Sequence, residues 1–211
     1  QNMINIKTLT KDQIKNYIDY FNEHSLNKIL FNTNAKIFKD PQTLNISKDG
    51  IEYIKEHEKL RLIAYDIGDD RITIGYGHSE PYKTSNFKIG DKITKLQAEK
   101  LFIKDLNSTV LGVKRMFKQW HTDKKVYITQ SMFDAIVSMV YNMGIKNFRN
   151  TELSEYLKDG NLVLSSKMIK ITSINNKFPG LIYRREFEYE LFMKDIKNEY
   201  AHLIKQSYFN V

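Results

Sequence analysis

The chain has no cysteine among its 211 residues, which excludes disulfide bridges, thiolate metal sites and a cysteine nucleophile. It has no apolar run approaching the roughly 20 residues needed to cross a bilayer. Its first residues lack the basic-then-apolar pattern of a secretory signal, and a start at Gln1 is compatible with a processed precursor. There is no internal repeat and no low-complexity tract. Nor is the charge gathered in one arm: 33 Lys and Arg against 25 Asp and Glu leave a net charge of +8 and a pI near 9.3, spread along the whole chain. Such a surface favours an anionic partner in general terms, whether nucleic acid, lipid headgroup or bacterial wall polymer. A specific nucleic-acid binder would need a concentrated basic stripe or a stacking platform, and neither is present. What is present is apolar bulk. With 41% hydrophobic and 12% aromatic residues, the chain can build one good core, or two lobes that share a long helix.

The pattern reads as helix after helix, interrupted once. Thr10 with Gln13 can open a helix whose stripe is Ile14, Tyr17, Ile18 and Phe21. The segment from Phe38 to Ser47 holds a proline and several turn formers without a period, and reads as a linker. Asp49 with Glu52 supplies a capping box for the next helix. After an apparent strand, turn and strand between Tyr65 and His78, the stretch from Glu80 to Lys92 reads as an irregular loop. Thr94 with Gln97 then opens a helix in which Leu101, Phe102, Leu106, Val110, Val113 and Phe117 keep helical spacing for more than five turns. Thr129 can cap a further apolar helix that Gly144 ends. A short helix from Thr151 to Lys158 closes at Gly160, and a last one runs from about Leu181 into the 190s.

One residue breaks the hydrophobic pattern. Glu58 lies seven residues after Ile51, four after Ile54 and four before Leu62, so it falls on an apolar helical stripe. A carboxyl held among apolar groups loses hydration, which favours its protonated form and suits a general acid near neutral pH. The bland alternative is a salt-bridged residue at a helix end. The polar segment after it, Tyr65-Asp-Ile-Gly-Asp-Asp-Arg-Ile-Thr73, offers further carboxylates and a threonine. His57-Glu58 is no zinc-protease motif, because Arg61 stands where the second histidine would be needed. Asp66 to Gly77 is no EF-hand loop, since Arg71 and Gly77 occupy the positions of the turning glycine and the closing glutamate. No metal and no other cofactor is implied.

The residues around Glu58, with Ala64-Tyr-Asp66 and Thr73-Ile-Gly-Tyr-Gly-His78, resemble the phage-type lysozymes (endolysins) of glycoside hydrolase family 24, whose motif runs Glu, Asp, Thr. Later segments agree in order: Thr94 with Gln97-Ala-Glu and Asp105-Leu; Phe133-Asp-Ala with Tyr141-Asn-Met-Gly144, Phe148 and Thr151; and Gly180-Leu with Arg184-Arg-Glu186 and Glu190-Leu-Phe192. The similarity spans roughly residues 48 to 195. It implies an α+β, mainly helical, lysozyme-like fold with a small β-hairpin lobe, a long connecting helix and a helical C-terminal lobe. Residues 48–211 would form the catalytic domain and residues 1–47 a helical extension and linker, by which the chain could join a phage tail or a larger assembly; otherwise a monomer is expected. The implied activity is that of a muramidase, cleaving the β-1,4 bond between N-acetylmuramic acid and N-acetylglucosamine in peptidoglycan, at the bacterial cell wall.

Within that scheme Glu58 would be the general acid. The second carboxylate departs from the family pattern: the expected aspartate position is Ile67. Asp66 can serve if the strand twists or bulges there, Gly68 permitting, and Asp69 is the alternative. Thr73 keeps its place and would help position the water, an inverting arrangement with the carboxyl groups about 6.5 to 9.5 Å apart. Tyr141, Asn142, Phe148 and Thr151 align with cleft-lining positions, although Tyr141 and Phe148 also suit a core. Arg61, Arg184 and Arg185 could approach Glu58 and hold it, and His78 suits a structural bond to a backbone carbonyl or an aspartate. The displaced aspartate also admits a catalytically impaired module that grips glycan or serves as a virion or secretion component.

Overall fold

The computed structural model describes residues 36–66, 68, 70–120, 125–172 and 180–209, together with positions 20 and 24. Among the described residues a 3-10 turn (Pro41–Thr43) is followed by seven α-helices and three strands, in order: helix α1 (Lys48–Glu58); strands β1 (Arg61–Tyr65), β2 (Arg71–Gly75) and β3 (His78–Pro81); and helices α2 (Lys95–Trp120), α3 (Gln130–Met143), α4 (Ile145–Arg149), α5 (Glu152–Lys158), α6 (Leu162–Ile169) and α7 (Gly180–Phe209). The expected α+β, mainly helical, architecture is thus present.

Two apolar clusters mark two lobes. The small one is Ala64, Ile72 and Ile74 under the sheet, closed by Phe87, Ile93 and Leu101. The large one lies among the helices, centred on α3, whose residues from Ser131 to Val140 are all buried. Helix α2 serves both. Its Leu101 reaches the sheet cluster, and Phe102, Leu106, Val110, Val113, Met116 and Phe117 enter the helical core. Each fully buried side chain of this kind stabilises the fold by roughly 1.5–3 kcal/mol. The helix starts at a reciprocal capping box: Thr94 accepts from the Gln97 backbone N–H at 3.2 Å, and Gln97 accepts from the Thr94 N–H at 2.7 Å.

The sheet has three antiparallel strands in the order β1-β2-β3, one more than the expected hairpin. β3 was hidden because His78-Ser-Glu-Pro81 has no apolar alternation. Between β1 and β2 the register slips: Arg61 faces Gly75 and Tyr65 faces Thr73, with an irregularity between. Simple alternation along β1 therefore does not fix the direction of Asp66.

Two expectations at the front of the domain change. Helix α1 is capped by Ser47, whose Oγ accepts from the Gly50 N–H, not by a box at Asp49. The Ser47 hydroxyl in turn bonds the buried Asp134 of α3 at 2.5 Å. The preceding segment is no linker. Lys39 pairs through its backbone with Ile128, Gln42 and Lys114 exchange bonds, and Leu44 is 3% exposed in the large core. The packed unit begins before Lys48. Of the helix expected from Thr10, only positions 20 and 24 are described; the His24 ring meets Tyr200 of α7 edge-on at 6.3 Å.

Candidate active site

Glu58 is the last residue of α1, and the chain turns sharply after it because Lys59 takes φ 53°. Leu62 consequently sits on β1, 37% exposed, and does not prolong the helical stripe. The apolar enclosure expected for Glu58 is replaced by a cation: Arg184 of α7 donates from Nη1 to Glu58 Oε1 at 2.6 Å. On its other side the carboxylate lies against the β2–β3 turn. Gly77 has φ 77°, and a Cβ there would stand 2.8 Å from Glu58 Oε2. Only glycine allows both the left-handed turn and that approach. The Glu58 carboxylate is thus held where α1, the sheet lobe and α7 meet.

The turn is tied down from the helical lobe. Tyr141 of α3 donates its hydroxyl to the Tyr76 carbonyl at 2.8 Å, one residue before Gly77. Tyr76 donates to Glu99 of α2, which also pairs with Lys55 of α1 at 2.7 Å. Burial pushes the Tyr141 phenol above its ordinary range, with Asp105 and Glu58 adding to the effect, so it stays a donor. His78 bonds Asp105 of α2 at 2.7 Å and Glu80 at 3.1 Å, the structural aspartate contact expected for it. The Asp105 bond foremost raises the histidine above its usual value, against burial. Glu80 also accepts from Ser85 and from the Asn86 N–H; these bonds outweigh its desolvation and hold it down at about 2.

Behind Arg184 stands an ion array invisible to pattern reading. Glu188 is 0% exposed and takes Arg184 Nε at 3.1 Å, the Ser138 hydroxyl at 2.7 Å and Nη1 of Arg185. Arg185 is 1% exposed and also donates to the Thr172 carbonyl and to Asn142 Oδ1. Burial by itself would lower the Arg184 pKa, but Glu58 and Glu188 outweigh it and raise it. In sequence, Glu188 reads as one more charge on a polar helix; its only signal is its placement three and four residues after two arginines.

The other expected residues separate. Arg61 stays away from Glu58 and lies 4.4 Å above the Tyr65 ring. Phe148 is fully buried in the helical core, the second of its two sequence readings. Thr151 caps α5, accepting from Ser154 and donating to the Phe148 carbonyl. Asn142 is exposed and engaged with Arg185. No cluster of metal-binding side chains occurs among the described residues.

A profile of the family described as Phage lysozyme matches residues 55–188, from three residues before Glu58 through Glu188. The chain belongs to the phage lysozyme family. An endolysin of Acyrthosiphon pisum secondary endosymbiont phage 1 is 36% identical over 155 residues, covering 71% of this chain and 98% of that protein. Among solved structures, the muramidase domain of SpmX from Asticaccaulis excentricus superposes with a TM-score of 0.58 at 30% identity, covering 71% and 97% of the two chains. An endolysin from Escherichia coli O157:H7 phage FAHEc1 gives 0.57 at 30%, covering 71% and 94%.

Within this phage lysozyme chain, the polar segment after β1 leaves Asp66 exposed. Its carboxylate accepts from the Gly68 N–H and from the Tyr82 hydroxyl, both at 2.6 Å. Asp69 lies outside the described residues. Thr73 is 6% exposed on β2, its hydroxyl 3.3 Å from that of Ser79 on β3. Ser79 also receives Arg71, so the strand pair carries a polar row beside the apolar sheet cluster.

Proposed function

We propose that the chain is a peptidoglycan hydrolase of the muramidase type, cleaving the β-1,4 bond between N-acetylmuramic acid and N-acetylglucosamine. The observation that carries the reading is the clamping of Glu58 between Arg184 and the Gly77 turn, at the meeting of the two lobes. Glycoside cleavage needs an acid to protonate the leaving oxygen and a second group to assist the water or the positive charge on the sugar. Glu58 supplies the proton. Arg184 fixes its direction and takes up the negative charge left on the carboxylate as the proton departs. Asp66 and Thr73 assist the attacking water from the sheet lobe. Tyr82 and the Gly68 N–H hold Asp66 in place, and Asp69 is the competing candidate. The substrate is the bacterial cell wall, with the basic surface drawing the chain towards anionic polymer.

The displaced aspartate position, Ile67, favours one second reading: a lysozyme-like module that binds glycan without cutting it. Turbidity of bacterial walls separates the two. Lysis by the parent that Glu58→Gln abolishes supports the enzyme; an inert parent that still sediments with walls supports the module. Asp66→Asn and Asp69→Asn in the same assay identify the second carboxylate as the one whose loss stops lysis without stopping sedimentation.

A further inference from the structure

We infer that Glu188 is a positioning residue for the reaction: it sets the orientation of Glu58 at second hand, by locking the guanidinium of Arg184. The inference rests on the muramidase reading and concerns a residue that touches no substrate.

Arg184 presents three donor nitrogens in one plane, and each bonds a separate acceptor. Nε goes to Glu188, Nη2 to the Ser138 carbonyl and Nη1 to Glu58. The first two acceptors lie in the closed interior, since Glu188 and Ser138 are both 0% exposed. The rigid fork of a guanidinium means that fixing two of its edges fixes the third. Nη1 therefore meets Glu58 from one direction only. Glu188 is itself held on both oxygens, by Arg184 and Ser138 on Oε1 and by Arg185 on Oε2. Arg185 is anchored in turn by Thr172 and Asn142.

The expense of this arrangement argues against mere accident. Burying a carboxylate between two arginines carries a large desolvation penalty for each ion, and apolar side chains of similar volume would often serve stability as well or better. The array does provide something that apolar packing cannot, a directional grip on the one side chain poised at the junction of the lobes. Other ionisable groups facing the array are Tyr53, whose hydroxyl donates to the Arg184 carbonyl, and Tyr141 at the Gly77 turn.

The test is Glu188→Gln in the full chain, with two readouts. Initial rates on purified sacculi should fall about tenfold to a hundredfold, the scale set by a misdirected reacting group, while sedimentation with sacculi stays within about twofold because no surface residue changes. In parallel, the 15N-resolved guanidinium protons of Arg184, separately visible in the parent because the group cannot rotate, should merge or broaden in the variant. Should Glu188→Gln fail to fold, Ser138→Ala removes only the hydroxyl that donates to Glu188, and should slow turnover a few-fold with binding intact. A folded variant with parental turnover and an unchanged Arg184 spectrum overturns the inference. A parent that cuts nothing overturns the muramidase reading instead, and the Arg184 spectrum still decides whether Glu188 locks the guanidinium.

Discussion

Gly77→Ala is expected to damage activity far more than stability. Two separate effects meet at this position. The backbone φ of 77° is left-handed, where an L side chain costs about 1–2 kcal/mol. The new methyl would also stand 2.8 Å from Glu58 Oε2, closer than such contacts occur. The obstacle is the end of a flexible side chain, so the backbone can stay and the carboxylate must move, turning Oε1 away from its 2.6 Å bond to Arg184. Stability should fall by roughly 1–2 kcal/mol, which for a chain of this size lowers the melting temperature by about 2–8 °C. Wall lysis should fall about a hundredfold well below that temperature, the usual scale for displacing a reacting group by about 1 Å. Gly90→Ala is the control. Its φ is 91° and nothing lies within 4 Å of a Cβ there, so it should show the backbone cost alone and retain parental lysis. Parental lysis by a folded Gly77→Ala, or equal losses in both variants, would refute the reasoning.

Three further outcomes follow from the same geometry. Arg184→Ala leaves Glu188 and Glu58 without their shared cation, and should cost about 3–5 kcal/mol in denaturant unfolding as well as abolishing lysis. His78 has a raised folded pKa through Asp105 foremost, so its contribution to stability is full below its unfolded value of about 6.5 and disappears as pH rises through the folded value; the melting-temperature gap between the parent and His78→Asn should be wide at pH 5.5 and narrow at alkaline pH, and a gap independent of pH would contradict this. Leu44→Ala should cost about 2–5 kcal/mol, because Leu44 is 3% exposed in the core; a neutral result in thermal unfolding would return that segment to the status of a linker.

Elements whose ends carry side-chain chemistry were legible in the sequence. Thr94 with Gln97, Thr129, Thr151, Gly144 and Gly160 all mark ends where expected, since each satisfies a terminal backbone group or supplies a left-handed turn. The start of α1 is ambiguous in the sequence because Ser47 and Asp49 are both competent caps, and the choice is made by Asp134, 87 positions away, which receives the Ser47 hydroxyl. Strand β3 escaped because its stabilising partners are polar: Ser79 to Arg71, Glu80 to Asn86, His78 to Asp105. Glu58 itself stood out as a charge on an apolar stripe, yet the reason for its place was wrong in kind. The stripe ends with the helix, and what meets the carboxylate is Arg184, 126 positions on. Glu188 is not legible in the sequence because a buried glutamate inside a charged helix looks like a solvated one until the partners of Arg184 and Arg185 are known.

The muropeptides released from purified sacculi, reduced with borohydride and weighed by mass spectrometry, test the central proposal most directly. The parent should yield fragments ending in reduced N-acetylmuramic acid, and Glu58→Gln should yield none. Fragments ending in reduced N-acetylglucosamine, anhydro ends, or equal release by Glu58→Gln would contradict the assignment of Glu58 as the acid of a muramidase.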